Sequence, residues 1–450
     1  MKVTYIQSAC VIVENRNVKV LCDPWLTDGA YYGSWYHYPP LKYAPEDFND
    51  VDYIYLSHVH QDHTDVGTLK RISKDIPIII HDYADRFFFN QIKGLGFKQV
   101  IELANQQEYE LDKDFKIEVL ASDNCDPEAC KKYFGCNIYG DDNRTKQVDT
   151  LAVFSSENKV IVNSNDCNYD MARGTCRYIK EKYKEIDMIL VGYIGAGPYP
   201  QCFENYNLDE KIDRCEAKKS QYLLHAVNFI KHLSPRYYMP FAGQYTLGGK
   251  LSELNFLRGD PELEEVPDIF NRLALKHQYK SEIILLNSGD FFCLNSRSKP
   301  NTYVPPCPIE REKYIQNVLS SKKYDYEKPG YFIEESNRED LIPLLLVAQK
   351  RMLRYQDKWE EYRSDWKFYL DTGQEYLYCV PFNGNLVSSI PVGSEVEPYI
   401  KISLDYSLLK MILDRKAHWS NAQIGSHLKY YRSPDMFDRR IHHLLSYLHC

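Results

Sequence analysis

The sequence contains no apolar run that approaches the roughly 20 residues needed to cross a bilayer, so we expect no transmembrane helix and no membrane partner. It has no basic excess either. Its 55 lysine and arginine residues against 63 aspartate and glutamate residues give a net charge of −8, so general nucleic-acid binding is not expected. Residues 1–10 enter a strand-like pattern at once and lack the charged head and long apolar body of a signal peptide. We therefore expect a cytoplasmic protein.

A disulfide framework is not expected. The 13 cysteines are odd in number, and a chain of 450 residues can build a core without cross-links. Cys125, Cys130 and Cys136 fall in one polar stretch, but their spacing is not that of a standard zinc ribbon. Ordinary thiols, a small structural metal site and a redox role all remain open for these three residues.

A cluster of metal-binding residue types follows one apolar segment. Directly after the strand-like run at 53–56 stand His58, His60, Asp62 and His63. His58 and His60 can project the same way, because alternate side chains of an extended segment share a face. Imidazole and carboxylate groups bind zinc, iron or manganese. The spacing predicts two divalent metal ions that share one short loop; a polar loop merely rich in histidine is the alternative interpretation.

The N-terminal two thirds of the chain mixes strand-like and helix-like segments. Strands are predicted at 3–6, 10–13, 18–22, 52–56, 78–80, 115–120, 150–154, 159–163, 188–191, 237–241 and 283–286, and helices at 64–73, 83–92, 169–183, 216–233 and 269–277. This order predicts an α/β fold of four layers, an αββα sandwich with helices outside two sheets. Residues 121–147 are polar and irregular, and we expect them to form an insertion loop.

The proline-bearing stretch at 298–308 predicts a boundary between a catalytic domain at 1–298 and a C-terminal accessory domain at 309–450. In the second part, strands are predicted at 376–380 and 399–402 and helices at 408–415 and 440–448. The C-terminal part has no metal-ligand motif. The sequence leaves two roles open for it: covering the pocket of the first domain, or forming a homodimer.

Several segments carry a family resemblance. Residues 57–63, Ser-His-Val-His-Gln-Asp-His, resemble the His-x-His-x-Asp-His signature of the metallo-β-lactamase fold superfamily. Residues 21–26, Leu-Cys-Asp-Pro-Trp-Leu, resemble the strand and turn that the superfamily places beside its metal loop. More narrowly, the short segments that resemble the catalytic part of the CMP-N-acetylneuraminic acid hydroxylase family are 23–27, 57–63, 163–167, 234–236 and 240–243.

The resemblance implies a ligand set. His58 and His60 would bind one metal, Asp62 and His63 the other, and Asp166 would bridge both ions. For Asp166, the competing interpretation is a turn or a helix cap. The superfamily normally supplies a further histidine to each metal, and this chain has none at either matching place. Asp126 is the candidate replacement at the first metal. At the second metal, Gln244, water or substrate could take the position.

A second departure concerns electron supply. The hydroxylase family carries an N-terminal Rieske iron–sulfur domain, whose cluster needs two Cys-x-His pairs. This sequence contains no Cys-x-His. An electron input of that kind is expected to come from another protein.

Three functions follow from these observations. The first expectation is a dinuclear metallohydrolase in which a metal-bound hydroxide attacks an ester, phosphoester, lactone or amide, with Asp62 and Asp166 as catalytic residues. The second is a non-haem diiron oxygenase that hydroxylates a nucleotide-sugar-like or acylated substrate, because a carboxylate at Asp126 would suit iron. The third is a metal-free binding protein, suggested by the missing histidines. The expected partner is a small-molecule substrate, with a redox partner only for the oxygenase.

Overall fold

The computed structural model describes residues 1–83, 86–122, 149–356, 364–436 and 439–449. The candidate ligand Asp126 lies outside the described residues, as do Cys125, Cys130 and Cys136. Apart from Ala121 and Ser122, the predicted insertion at 121–147 also lies outside them.

Two seven-stranded sheets form the centre of the N-terminal part. The first contains, in spatial order, β16 (Phe291–Cys293), β1 (Lys2–Gln7), β2 (Cys10–Asn15), β3 (Val18–Cys22), β5 (Tyr53–Tyr55), β6 (Ile78–His81) and β7 (Val100–Leu103). The second contains β15 (Glu282–Ile283), β13 (Tyr237–Phe241), β12 (Met188–Gly192), β11 (Lys159–Asn163), β10 (Thr150–Ser156), β9 (Phe115–Ala121) and β8 (Glu108–Asp112). A small ribbon pairs β4 (Trp35–Tyr36) with β14 (Thr246–Leu247).

Helices cover the outer faces of both sheets. The first sheet packs against α1 (Val66–Arg71) and α2 (Phe87–Gly94), and the second against α3 (Tyr169–Lys182), α4 (Leu208–Leu233) and α5 (Val266–His277). Between the sheets, buried side chains such as Val11 and Met188 form one continuous apolar core. The predicted four-layer αββα sandwich is thus confirmed. None of the helices within the described ranges combines the length and the apolar character that crossing a membrane requires.

The central strands of the first sheet are apolar on both faces because each face is covered. Tyr55 and Ile79 point into the layer between the sheets, whereas Ile54, Ile78 and Ile80 point toward the outer helices. Strands β3, β5, β6 and β7 run parallel. Parallel strands that are buried on both faces typically have such continuous apolar sequences. Their carboxyl ends meet at one edge of the sheet, and the histidine-rich loop leaves β5 at that edge.

A third sheet lies in the C-terminal part. Its strands, in spatial order, are β19 (Ser388–Pro391), β18 (Tyr376–Pro381), β17 (Lys367–Asp371), β20 (Tyr399–Ser403) and β21 (Lys429–Ser433). The helices of this part are α6 (Pro308–Tyr314), α7 (Ile342–Gln356), α8 (Tyr406–Leu413), α9 (Trp419–Ile424) and α10 (Arg439–Leu445). The strands predicted at 376–380 and 399–402 are confirmed, while the elements that escaped prediction are β17, β19, β21, α6, α7 and α9.

The third sheet is joined to the N-terminal part by backbone hydrogen bonds. The Tyr430 amide of β21 donates to the Cys202 carbonyl (2.8 Å), and the Glu204 amide donates to the Tyr430 carbonyl (2.7 Å). Phe203 stacks on the Tyr430 ring, with 5.0 Å between the ring centroids. Strand β21 is therefore paired, through its backbone, with the loop that follows β12.

Several predicted helix bounds were wrong. Helix α4 begins at Leu208 and not at 216, because Asn207 and Glu210 form a capping box at its N-terminus. The Glu210 amide donates to Asn207 Oδ1 (3.0 Å), and the Asn207 amide donates to Glu210 Oε2 (2.8 Å). The apolar pattern reveals only the later turns of this helix, since its first turns are polar. The helix predicted at 83–92 begins at Phe87.

Asp65 caps α1 directly after the histidine-rich loop, and its loss should destabilise the protein. Its carboxylate accepts hydrogen bonds from the amides of Gly67 and Thr68 and from the hydroxyls of Thr27 and Thr68 (2.6 Å each). We expect Asp65→Ala to lower the free energy of unfolding by about 2 kcal/mol, because these donors lose their acceptor. Urea denaturation measures this difference. The exposed Asp75→Ala variant is the control and should change stability by less than about 0.5 kcal/mol; equal losses would contradict the capping role.

Acid should destabilise the fold through His81. This residue ends β6, is 1% exposed, and has its pKa lowered by burial from 6.5 to about 4. Between those pH values the unfolded chain binds a proton that the folded protein does not bind. Its stability contribution is therefore complete above pH 6.5 and declines toward pH 4, by about 2 kcal/mol between pH 7 and pH 5. Urea denaturation at both pH values should show a smaller loss for His81→Leu than for the wild type; identical losses would refute this assignment.

Candidate metal centre

The histidine-rich loop is folded back on itself as it leaves β5. The amides of His63 and Thr64 both donate to the His60 carbonyl (3.0 and 2.7 Å), and the Thr64 hydroxyl donates to the His58 carbonyl (2.6 Å). This tight turn brings the imidazoles together, with ring centroids 4.7 Å apart for His58 and His60 and 4.1 Å apart for His58 and His63. His58 and His63 are completely buried.

Asp23 holds the base of the loop. It follows β3 in a left-handed conformation (φ 45°), and its side chain is fully buried. The Ser57 amide donates to Asp23 Oδ1 (2.7 Å), and His63 Nδ1 lies 3.0 Å from Asp23 Oδ2. A carboxylate accepts only, so His63 Nδ1 carries a proton, and Nε2 is the ring nitrogen left to face the other ligands. A carboxylate behind a ligating histidine is the usual support of a metal site.

Two imidazole nitrogens at this site are buried without a hydrogen-bond partner: Nε2 of His58 and Nε2 of His63. Leaving a buried polar atom unpaired costs free energy, on the order of 1–3 kcal/mol. His63 Nε2 instead faces two carboxylate oxygens, at 3.6 Å (Asp62 Oδ2) and 3.3 Å (Asp166 Oδ2). Imidazole nitrogens and carboxylates that converge in this way fit a metal ion.

Asp166 reaches the cluster from the second sheet. It lies in the turn after β11, where Asn165 is left-handed (φ 48°) and its side-chain amide donates to the Thr150 carbonyl (3.3 Å). The turn packs against Gly192 at the end of β12. A Cβ at Gly192 would lie only 2.4 Å from the Asn165 carbonyl oxygen, so a side chain there would displace the turn. Two parallel strand ends thus place Asp166 opposite the loop of the first sheet.

Asp149 is a candidate ligand that sequence reasoning missed. It lies immediately before β10, and its Oδ1 is 3.9 Å from His58 Nε2. The hydroxyl of the next residue, Thr150, donates to the Ser57 carbonyl (2.8 Å), which ties this strand end to the start of the metal loop. From the sequence, the missing ligand is expected just after β9, at Asp126. Asp149 lies at the other end of the same connection, directly before β10. Its place next to a predicted strand is the signal that could have identified it.

Two sets of ligand atoms lie close enough to share an ion. In each set the atoms lie within 4.8 Å of one another; the sets are His58, His60 and Asp149, and His58, His63 and Asp166. The predicted residues His58, His60, Asp62, His63 and Asp166 are thus brought into one cluster. His58 belongs to both sets, Asp149 joins the first, and Asp62 lies beside the second through its contact with His63.

Asp62 is oriented from outside the cluster. The Tyr31 hydroxyl donates to Asp62 Oδ1 (2.5 Å), so Oδ2 is the oxygen that faces His63. Both residues are buried. Tyr31 also donates its backbone amide to the Gln61 side chain. The loop therefore receives two hydrogen bonds from one tyrosine.

The charges at the site favour a bound cation. Burial raises the pKa of Asp62, and it raises that of Asp149 to about 7. Burial alone would lower the pKa of His63, but Asp166, Asp62 and Asp23 surround it and raise the pKa well above its ordinary value. The carboxylates therefore attract positive charge to His63 Nε2, where a metal ion could take the place of the proton.

Two neighbouring residues bear on the site differently. The Gln244 amide, considered for the second metal, donates to the Tyr193 hydroxyl. His418 of the C-terminal part was not singled out by the sequence. Burial and then the nearby His60 lower the pKa of His418 to about 4, which places the two imidazoles within electrostatic reach.

Parts of the chain are similar to known proteins. Residues 2–139 match the family model of the beta-lactamase superfamily domain. The cytidine monophosphate-N-acetylneuraminic acid hydroxylase of Mus musculus is 27% identical over 253 residues, which cover 54% of this chain and 39% of that protein. The hydroxylase of the same name from Danio rerio is 25% identical over 467 residues, covering 97% of this chain and 70% of that protein.

A solved structure is also similar in part. It is the isothiocyanate hydrolase from Delia radicum gut bacteria, with 16% identity, a TM-score of 0.43, and coverage of 65% of this chain and 99% of that one. The match to the mouse hydroxylase spans about two fifths of that relative's length. Residues 2–139 are thus similar to the beta-lactamase superfamily domain, and the chain resembles the cytidine monophosphate-N-acetylneuraminic acid hydroxylases.

Proposed function

We propose that this protein is a dinuclear iron oxygenase that hydroxylates a small polar substrate. The observation that carries the proposal is the place of Asp149 beside His58 and His60, where a carboxylate stands instead of a further histidine. The candidate ligands then comprise three imidazoles and three carboxylates. Hard oxygen donors shift the preference of a site from zinc toward iron. The similarity to the Danio rerio hydroxylase over 97% of the chain supports the same interpretation.

The first ion would be held by His58, His60 and Asp149. The second would be held by Asp62, His63 and Asp166. When bound, a pair of iron ions supplies the activation of dioxygen that the organic side chains cannot perform. The residues around them have positioning tasks: Asp23 fixes the tautomer of His63, and Tyr31 fixes the orientation of Asp62. Burial lowers the pKa of His58 and His60, so both rings stay neutral and can act as ligands.

The reaction needs a reductant. Hydroxylation inserts one oxygen atom of dioxygen into a C–H bond, and the other oxygen atom leaves as water after taking up a pair of electrons and a pair of protons. We propose that a separate redox protein or domain supplies the electrons. By analogy with the relatives' names, the substrate class is a nucleotide-linked or acylated sugar-like molecule.

A metallohydrolase is the second candidate, and the match of residues 2–139 to the beta-lactamase superfamily domain favours it. Two metals at the same residues would lower the pKa of a water molecule and stabilise the developing oxyanion of an ester or phosphoester. Hydrolysis needs no electron source. The carboxylate-rich ligand set places this candidate behind the oxygenase.

Metal content tests the proposed ligands directly. We expect protein reconstituted without oxygen to bind two Fe²⁺ ions per chain, and Asp149→Asn and Asp166→Asn to bind fewer or weaker ions with little change in unfolding free energy. The asparagine side chain keeps the shape of aspartate but loses its charge, which reduces affinity for a divalent ion. Elemental analysis and chelator competition measure the loss. Asp114→Asn, on the hairpin turn between β8 and β9, is the matched control; full metal content in both site variants would contradict the assignment.

The type of reaction can be tested with one purified protein loaded with different metals. The iron form, given a chemical reductant and CMP-N-acetylneuraminic acid, should consume dioxygen and release a product that is heavier by one oxygen atom. If the product formed under ¹⁸O₂ has the mass expected for one added ¹⁸O atom, the oxygenase is supported. Oxygen-independent cleavage of ester or phosphoester probes by the zinc form, without oxygen uptake by the iron form, would replace it with the hydrolase.

A further inference from the structure

Two consecutive tyrosines beside the metal loop have unusual backbone conformations. Tyr31 (φ 52°, ψ 57°) and Tyr32 (φ 61°, ψ 32°) both lie in the left-handed region. This region is unfavourable for bulky L-residues, and such residues persist there only where the surroundings hold them. Strain of this kind tends to occur at functional sites. Here Tyr31 is the residue whose hydroxyl donates to Asp62.

The C-terminal part holds this strained turn. His427 Nε2 lies 2.7 Å from the Tyr31 carbonyl oxygen, and the Ser34 hydroxyl donates to the same oxygen (3.0 Å). Next to His427, the backbone of Gly425 packs so closely that a Cβ there would lie 2.9 Å from the Tyr31 Cβ. Tyr32 is held from the same side, because the backbone amide of His418 donates to its hydroxyl (2.5 Å).

The tautomer of His427 follows from its partners. The Tyr31 carbonyl can only accept, so His427 Nε2 carries the proton, and Nδ1 accepts a hydrogen bond from the Tyr326 hydroxyl (3.1 Å). Both ring nitrogens are therefore satisfied, and the side chain is only 8% exposed. A line of hydrogen bonds runs from Tyr326 through His427 and Tyr31 to Asp62.

We propose that the C-terminal part completes the metal centre, with His427 as a positioning residue that acts on Asp62 through Tyr31. By fixing the Tyr31 backbone, His427 keeps the tyrosine hydroxyl on Asp62 Oδ1 and leaves Oδ2 directed at the second ion's position beside His63. The inference rests on the metal site of the proposed function, but it holds for a hydrolase as well as for an oxygenase. It assigns the C-terminal part a task within the site itself.

The size of the effect can be estimated. Loss of a residue that orients a metal ligand typically reduces metal affinity by 10- to 100-fold. Tyr31→Phe removes the hydrogen bond to Asp62, and we expect such a loss at one of the two ions. His427→Leu leaves Tyr31 intact but releases its backbone, so we expect about 10-fold. His427→Gln should recover most of the affinity, since the glutamine side-chain amide can still donate to the Tyr31 carbonyl.

The experiment measures Zn²⁺ affinity by chelator competition on the full chain, together with urea denaturation. We expect Tyr31→Phe and His427→Leu to bind one ion more weakly than the wild type and to bind the other ion equally tightly. The double variant should lose no more affinity than Tyr31→Phe alone, because both changes act on the same contact. Tyr324→Phe is the control: it removes a hydroxyl that binds Gly248 and Leu251 at the same junction, and it keeps the ring that packs on His427 (4.9 Å between ring centroids).

The outcomes separate the two levels of inference. If the wild-type protein binds no metal, the proposed function fails, and this inference fails with it. If the wild type binds two ions and His427→Leu binds both as tightly, only the positioning role is refuted. Equal weakening by Tyr324→Phe, or additive losses in the double variant, would also refute it, because a general loosening of the junction would then explain the data. If His427→Leu does not fold, the zinc affinities of Tyr31→Phe and His427→Gln are compared instead. The first variant should bind one ion more weakly, and the second should keep most of the wild-type affinity.

Discussion

The carboxylate of Asp23 is the constraint on which the candidate centre depends. One of its oxygens accepts from the Ser57 amide, and the other lies 3.0 Å from His63 Nδ1. It thereby joins the end of β3 to the end of β5 and fixes the tautomer of His63 in the same contact. Because Asp23 is fully buried, losing either partner would leave one of its carboxylate oxygens without a hydrogen bond. The geometry of the loop therefore follows from two adjacent parallel strands.

Burial of several carboxylates around three imidazoles requires a compensating positive charge. Asp62, Asp149 and Asp166 converge on His58 and His63, and two imidazole nitrogens there have no hydrogen-bond partner. A fold that places like charges together at low dielectric is strained unless protons or metal ions bind between them. The raised pKa values of Asp149 and His63 mean that both groups tend to hold a proton at this site. Bound metal ions would supply the same positive charge, and the site already presents ligands for them.

The C-terminal part packs directly against the N-terminal part of the molecule. Its sheet shares backbone hydrogen bonds with the loop after β12, and its own apolar core includes Cys202, Phe203 and Tyr206. His427 and His418 approach the strained turn at Tyr31 and Tyr32 from this part. These contacts give the C-terminal sheet a direct structural connection to the metal loop.

The sequence by itself determined the four-layer sandwich, because strand and helix periodicity is local, and it placed four candidate ligands in one loop, because their spacing is local too. Asp166 was accessible to the same reasoning, since it follows a predicted strand. Only the tertiary structure brought in Asp149, Tyr31 and His427. Asp149 depends on which strand end meets β5, and His427 lies 396 residues from the tyrosine that it contacts. Such neighbours are set by sheet order and packing between distant segments, which leave no periodic pattern along the chain.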